Sequence, residues 1–178
     1  MGKKRVPGIS IFVVLAAGFG ACSFLPAQQT LATATGKPAD VDGDRIANAD
    51  QEPGNWMSHG RTYSEQRFSP LQAINEKNVA QMGLAWSYDL DTRRGQEATP
   101  LVVDGVMYFT TAWSKVVSLD AASGARRWEY DPKVPPEWAV NACCDVVNRG
   151  VAAWKEKVFF GTLDGRLIAL DAGTGKPV

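Results

Sequence analysis

Two adjacent cysteines, Cys143 and Cys144, are the residues whose spacing most constrains chemistry in this sequence. They lie in the stretch Asn141-Ala142-Cys143-Cys144-Asp145-Val146-Val147-Asn148-Arg149-Gly150. A bond between them would join neighbouring residues. Relaxed disulfides place their Cα atoms roughly 4.4–6.8 Å apart. A trans peptide holds neighbours at about 3.8 Å and a cis peptide at about 2.9 Å. A Cys143–Cys144 bridge would therefore close a small, distorted ring, and strain of that kind collects at functional sites. The other reading is two unpaired thiols packed as small hydrophobes. On spacing alone both stand, and the compartment bears on the choice.

The compartment is written at the N-terminus. Lys3-Lys4-Arg5 forms a basic cluster, and Ile9 to Ala21 is apolar apart from Ser10. That run is shorter than the roughly 20 residues a membrane-spanning helix needs. It reads as an export signal covering residues 1–27, with its exact end open. Gly20-Ala21-Cys22 has the form of a lipoprotein box that would acylate Cys22, although Phe19 stands where Leu is usual; Leu25-Pro26-Ala27 is an alternative cleavage site. Either way Cys22 is lipidated or lost. Any pairing within the exported chain would then be between Cys143 and Cys144, in an oxidising, periplasmic setting. Loss of the signal leaves 16 basic against 19 acidic side chains, a net charge of −3. That balance gives nucleic acid nothing to hold.

The elements that must position the cysteines are short. Residues 28–53 form a polar leader rich in Ala, Thr, Gly and Asp, with one short helix expected within Val41–Ala49. Asp40-Val41-Asp42-Gly43-Asp44 only faintly resembles a calcium loop and reads as a solvated acidic turn. A helical turn is expected within Asn75–Met82. Strands are expected at Leu84–Asp89, Val106–Thr111 and Lys115–Asp120, with another starting at Arg127 and a hairpin turn at Asp104-Gly105.

The second half then repeats the first. Tyr108-Phe109-Thr110-Thr111 through Leu119-Asp120 aligns with Phe159-Phe160-Gly161-Thr162 through Leu170-Asp171, and the Gly124 turn aligns with the Gly175 turn. The offset is constant: 171 − 120 = 51 and 175 − 124 = 51. A period of about 50 residues built from short strands and Gly turns is the mark of a β-propeller blade. The expected fold is all-β, with residues 54–178 forming the first blades of a propeller interrupted inside a repeat. Stable arrays need at least about three repeats. The chain therefore reads as an N-terminal fragment, expected neither to fold stably by itself nor to be active.

Leu-Asp-Ala-x-Ser/Thr-Gly, with Trp128 four residues after Gly124, resembles the tryptophan-docking repeat of quinoprotein dehydrogenase propellers. More specific are Arg94-Gly95-Gln96-Glu97-Ala98-Thr99-Pro100, the cysteine stretch, and Trp56…Gly60-Arg61…Arg67-Phe68-Ser69-Pro70-Leu71. Together they resemble the alcohol dehydrogenases dependent on pyrroloquinoline quinone (PQQ), the ethanol-type more closely than the methanol-type, from about Gly54 to Val178. The resemblance implies an eight-bladed propeller holding PQQ in an axial chamber. It implies a disulfide between Cys143 and Cys144 lying against one face of the quinone. Arg149 would reach the quinone oxygens, Glu97 would hydrogen-bond the cofactor edge, and Val147 would be a contact in the same loop. A planar tricarboxylate suits a flat, rigid support beside a guanidinium.

The resemblance further implies Ca²⁺, a primary alcohol oxidised to an aldehyde, and a cytochrome c or membrane quinone as electron acceptor. In the family the calcium ligands, the catalytic base and any haem c domain come from later blades, and the chain contains no Cys-x-x-Cys-His. No catalytic or metal-binding residue is assigned within it. Two other readings share the repeat. A non-catalytic scaffold lipoprotein of outer-membrane assembly would suit a lipidated Cys22 but needs neither the cysteine pair nor Glu97 with Arg149. A PQQ-dependent sugar dehydrogenase generally lacks the paired cysteines.

Overall fold

The computed structural model describes residues 37–178. The expected export signal, Cys22 and the first part of the expected polar leader lie outside the described residues.

The described chain is built on two antiparallel sheets in simple up-and-down order. The first holds β1 (Leu101–Val103), β2 (Val106–Thr110), β3 (Val116–Asp120) and β4 (Arg126–Tyr130). The second holds β5 (Ala152–Trp154), β6 (Lys157–Gly161) and β7 (Leu167–Asp171). Adding 51 to the bounds of β1, β2 and β3 gives those of β5, β6 and β7 residue for residue. The registers repeat as well: Leu101 pairs with Tyr108 as Ala152 pairs with Phe159, and Val106 with Asp120 as Lys157 with Asp171. The expected hairpin turn is present, with Asp104 and Gly105 at φ 50° and 78°, the positive pair that a tight, correctly twisted hairpin requires.

The repeated turns are held by local side chains. Asp120 Oδ1 accepts from the N–H and hydroxyl of Ser123 at 2.9 and 2.8 Å, and Asp171 Oδ1 accepts from those of Thr174 at 2.8 and 2.7 Å. These donors hold both carboxyls below the ordinary carboxylate range. Each turn then passes through a glycine, Gly124 at φ 72° and Gly175 at φ 70°. Both glycines also lie under an indole. A Cβ on Gly124 would meet the Trp86 ring at 2.5 Å, and one on Gly175 would meet the Trp128 ring at 2.7 Å. Trp128 Nε1 donates to Ala172 O at 2.9 Å and Trp86 Nε1 to Ala121 O at 3.2 Å. Each tryptophan thus docks face-down on the turn of the sheet that follows it.

This arrangement corrects one expectation. Leu84–Asp89 is not a ladder strand. Its alternation is real, but no neighbouring strand runs beside it among the described residues. Trp86-Ser87-Tyr88-Asp89 is instead the counterpart of Trp128-Glu129-Tyr130-Asp131 in β4, and it packs on the first sheet as β4 packs on the second.

The main core lies between the sheets. Leu101, Val103, Val106, Tyr108, Val116 and Trp128 meet Val151, Ala153, Val158, Phe160 and Leu170. Tyr108 and Trp128 stack tilted at 5.9 Å between ring centroids. The Tyr108 hydroxyl also donates to Ala172 O at 3.3 Å, and burial pushes its phenol above the ordinary range. Alternate residues of the first sheet, Phe109, Val117 and Leu119, turn the other way and are covered by Trp86, Tyr88, Leu90 and Ala98. Both faces of this sheet are therefore apolar.

The described part of the leader is less independent than its polar composition suggests. Ala39, Val41 and Ala49 are buried in the main core. Lys155 N–H donates to Val41 O at 2.8 Å and Glu156 N–H to Ala39 O at 3.0 Å. The expected helix is α1 (Gly43–Ala47), capped by Asp42, whose side chain accepts from Arg45 N–H at 2.9 Å. The residue suggestive of a calcium loop thus serves as a helix cap. Arg45 pairs with Glu52 at 2.5 Å and with Asp104 at 2.9 Å, tying the leader to the first hairpin.

The docking contact predicts a graded response to adding one methyl group. Gly105 and Gly175 both have positive φ, but a Cβ on Gly105 meets nothing within 4 Å. Gly105→Ala should cost about 1 kcal/mol, the conformational penalty alone. Gly175→Ala should cost about 3 kcal/mol, because it also drives a methyl into a rigid indole. Chemical denaturation of the two variants measures the difference. Equal losses would show that Trp128 does not depend on a bare turn.

Candidate functional site

Two loops meet beside the C-terminal end of β2. One is Arg94–Ala98, which leads into β1. The other is Asn141–Gly150, which leaves the 3-10 turn Pro136–Asn141 and enters β5. The second loop is fixed by its buried middle. Val146 and Val147 are 1% and 9% exposed, and Val146 O accepts from Trp113 N–H at 2.9 Å. Val147 packs towards Gly95, whose Cβ, if it had one, would lie 3.4 Å from Val147 Cγ1. With its aliphatic stem anchored, the loop turns at Asp145, φ 70°, and presents the residues on either side of the valines.

Those residues come together. Arg149 Nη2 and Glu97 Oε2 are 2.5 Å apart, with 67% and 40% of their side chains exposed. Ion pairs this exposed contribute only about 0–1 kcal/mol to stability, so the pair is not explained by stability. A second pair, Arg94 with Asp145 at 2.7 Å, joins the same loops. Cys143 and Cys144 are both exposed and both free thiols. The Cys144 thiol is pushed above its ordinary range, first by a hydrogen bond with Cys143; the charge of Arg149 lowers it and that of Glu97 raises it. The guanidinium, the carboxylate and the thiols are therefore within electrostatic reach of one another.

Of the sequence-predicted residues, Glu97, Cys143, Cys144 and Arg149 are gathered on one exposed edge. Val147 is placed beneath it, joining the loops by packing. The disulfide stands as a proposal for the oxidised protein, since both cysteines are thiols in this structure. Sequence reasoning missed the residues that hold the edge in place. Asn148 Nδ2 donates to Ser114 Oγ at 3.0 Å and to Gly161 O at 2.8 Å, while its Oδ1 accepts from Gly150 N–H at 2.8 Å. Thr110 Oγ1 lies 3.1 Å from Asn148 O and 2.8 Å from Gly150 O. Gln96 Nε2 donates to Thr110 O at 2.6 Å. Gly150 is bare for a reason: a Cβ there would come within 3.2 Å of Asn148 Oδ1 and 3.3 Å of Thr110 Cγ2. Asn148 lies in the cysteine motif and Gln96 in the Glu97 motif, so adjacency to both was the available signal.

An edge of this kind offers two neighbouring thiols, one cationic fork and one anionic acceptor. A guanidinium beside a carboxylate suits recognition of a planar anionic ligand. Among the described residues no group of three or more His, Cys, Asp and Glu side chains is placed to hold a metal ion.

The sequence profile "PQQ: Glucose/ethanol/alcohol dehydrogenase, beta-propeller domain" matches residues 56–178, and the chain belongs to that family. The dehydrogenase subunit of alcohol dehydrogenase (quinone) from Komagataeibacter europaeus is 55% identical over 177 residues, 99% of this chain and 23% of its own length. The solved structure of quinohemoprotein alcohol dehydrogenase ADHIIG from Pseudomonas putida superposes with a TM-score of 0.78 at 62% identity, covering 80% of this chain and 21% of that one. The 1-butanol dehydrogenase (cytochrome c) of Thauera butanivorans is 59% identical over 125 residues, 70% of this chain and 18% of its own length. The chain thus spans about a quarter or less of its relatives' length.

The electrostatics of the edge predict opposite shifts at one thiol. In reduced protein carrying Cys143→Ser, Arg149→Ala removes a cation that favours the thiolate, so the Cys144 pKa should rise. Glu97→Gln removes an anion that disfavours it, so the pKa should fall. The pH dependence of iodoacetamide alkylation reads both. Absent or reversed shifts would show that the two charges do not act on Cys144.

Proposed function

We propose that the chain is the opening part of an exported, PQQ- and Ca²⁺-dependent alcohol dehydrogenase. The whole protein would oxidise primary alcohols to aldehydes and pass the electrons to a cytochrome c or a membrane quinone. In this reading residues 1–27 direct export to the periplasm, and Cys22 is either lipidated or lost with the signal. Residues 28–53 lead into the body, and residues 54–178 form the first blades of an eight-bladed propeller. The observation that carries the reading is the convergence of Glu97, Arg149, Cys143 and Cys144 on one exposed edge.

When bound, PQQ supplies the two-electron oxidising chemistry. The residues of this chain bind and orient it. Cys143 and Cys144, joined as a disulfide, give one face of the ring a rigid support. Arg149 would place a permanent positive charge beside the quinone oxygens. Glu97, which pairs with Arg149 in this structure, would accept a hydrogen bond at the cofactor edge. Ca²⁺, the catalytic base and any haem c belong to later parts of the protein, as in the family resemblance.

The test uses the full-length protein freed of cofactor. Ethanol or 1-butanol oxidation, followed with an artificial dye acceptor, should require PQQ and Ca²⁺ together. Arg149→Ala should lower the rate about 100-fold or more, the scale of losing one charge-stabilising donor. In the oxidised protein Cys143 and Cys144 should resist alkylation until reduced, as read by mass spectrometry. Free alkylation before reduction would remove the disulfide from the account. Failure to bind PQQ or oxidise any alcohol would favour a scaffold.

A further inference from the structure

We infer that Thr110 and Asn148 form a positioning pair that sets the distance between the two cofactor-facing loops. The inference rests on the reading of those loops as the quinone-binding edge. Thr110 is the last residue of β2 and is fully buried. It touches both loops at once. Its hydroxyl proton is shared between Asn148 O at 3.1 Å and Gly150 O at 2.8 Å. Its own carbonyl accepts from Gln96 Nε2 at 2.6 Å. Gln96 precedes Glu97, and Asn148 precedes Arg149. One strand end therefore holds the residue next to the carboxylate and the residue next to the guanidinium.

The repeat separates this role from a general need of the fold. The position equivalent to Thr110 in the second sheet is Gly161, since 110 + 51 = 161. A blade of this sequence therefore forms without a hydroxyl at that place. Gly161 instead offers its carbonyl to Asn148 Nδ2 at 2.8 Å. The loop before Arg149 is thus gripped from both sides by equivalent strand ends, through the hydroxyl of Thr110 and the carbonyl of Gly161. Asn148 completes the grip by using both its donors and its acceptor, the third contact being Ser114 Oγ at 3.0 Å. Ser114 is itself fully buried. Neither Thr110 nor Asn148 needs to touch the cofactor; they act through the backbone of Glu97 and Arg149.

The experiment is a PQQ titration of the full-length protein freed of cofactor, in the presence of Ca²⁺, followed by the cofactor's absorption. Thermal unfolding of the cofactor-free variants runs in parallel. Thr110→Val keeps the shape and deletes the hydroxyl. Its Kd for PQQ should rise about 10-fold or more, the scale seen when supporting shells are cut. Thr110→Ser restores the hydroxyl and should stay within about three-fold of the parent. The cofactor-free Tm of Thr110→Val and Thr110→Ser should be alike, so affinity and stability part company. Asn148→Asp, which keeps the acceptor and loses both donors, should weaken PQQ as Thr110→Val does, and it carries the test if Thr110→Val does not fold. Parent-like affinity in Thr110→Val, or equal loss in Thr110→Ser, overturns the inference. Arg149→Ala separates the two levels. If it too binds PQQ as the parent does, the reading of the edge has failed. If it binds weakly while Thr110→Val does not, only the positioning role has failed.

Discussion

The contact on which the rest of the structure depends is the indole of Trp128 laid on the Gly175 turn. It closes the gap between the two sheets with one large apolar face and one hydrogen bond, 2.9 Å to Ala172 O. Burying a side chain of that size contributes on the order of 2–3 kcal/mol. Its larger effect is geometric. The Ala172 carbonyl also receives the Tyr108 hydroxyl, so β2 is fixed against the far sheet through the same atom. β2 ends in Thr110 and β6 in Gly161, and the spacing between those two ends is the width available to the Asn148–Gly150 segment. The position of the exposed edge is therefore set by a contact on the far side of the sheet.

The same device is used once more upstream, where Trp86 docks on Gly124. Trp128 thus docks the first sheet on the second, and Trp86 docks the preceding segment on the first sheet. The first sheet is covered on one face by the second sheet and on the other by Trp86, Tyr88, Leu90 and Ala98, which is why Tyr108 and Phe109, adjacent in β2, are buried in opposite directions. The loops at the strand ends are then free of any packing duty at their tips. At those loop ends Glu97 and Arg149 stay exposed as an ion pair that adds little stability.

Much of this was legible in the sequence, and the boundary follows range along the chain. The 51-residue repeat was readable because its turns are made by residues a few positions apart: Asp120 with Ser123 and Gly124, Asp171 with Thr174 and Gly175. The ladder at Leu84–Asp89 was misread because alternation reports two different faces, not a paired neighbour. Ala39 and Val41 looked like parts of a polar leader, but they are buried in the main core and their carbonyls are bound by the turn at Lys155-Glu156, over a hundred residues away. At the site, Cys143, Cys144, Glu97 and Arg149 were visible through the motifs that carry them. Thr110 was not. A threonine at a strand end reads as a good β-former, and nothing local says that its hydroxyl will meet two carbonyls of a distant loop.

The central claim is that the quinone rests on the sulfurs of Cys143 and Cys144, with Arg149 and Glu97 at its edge. Diffraction from crystals of the oxidised full-length protein grown with PQQ and Ca²⁺ tests it most directly. The account predicts density for the ring lying parallel to the Cys143–Cys144 bridge, at van der Waals contact of about 4 Å, and hydrogen-bonded by the Arg149 guanidinium. A ring bound away from the two sulfurs, or bound beside them with Arg149 still paired only to Glu97 and turned from the quinone, would contradict it.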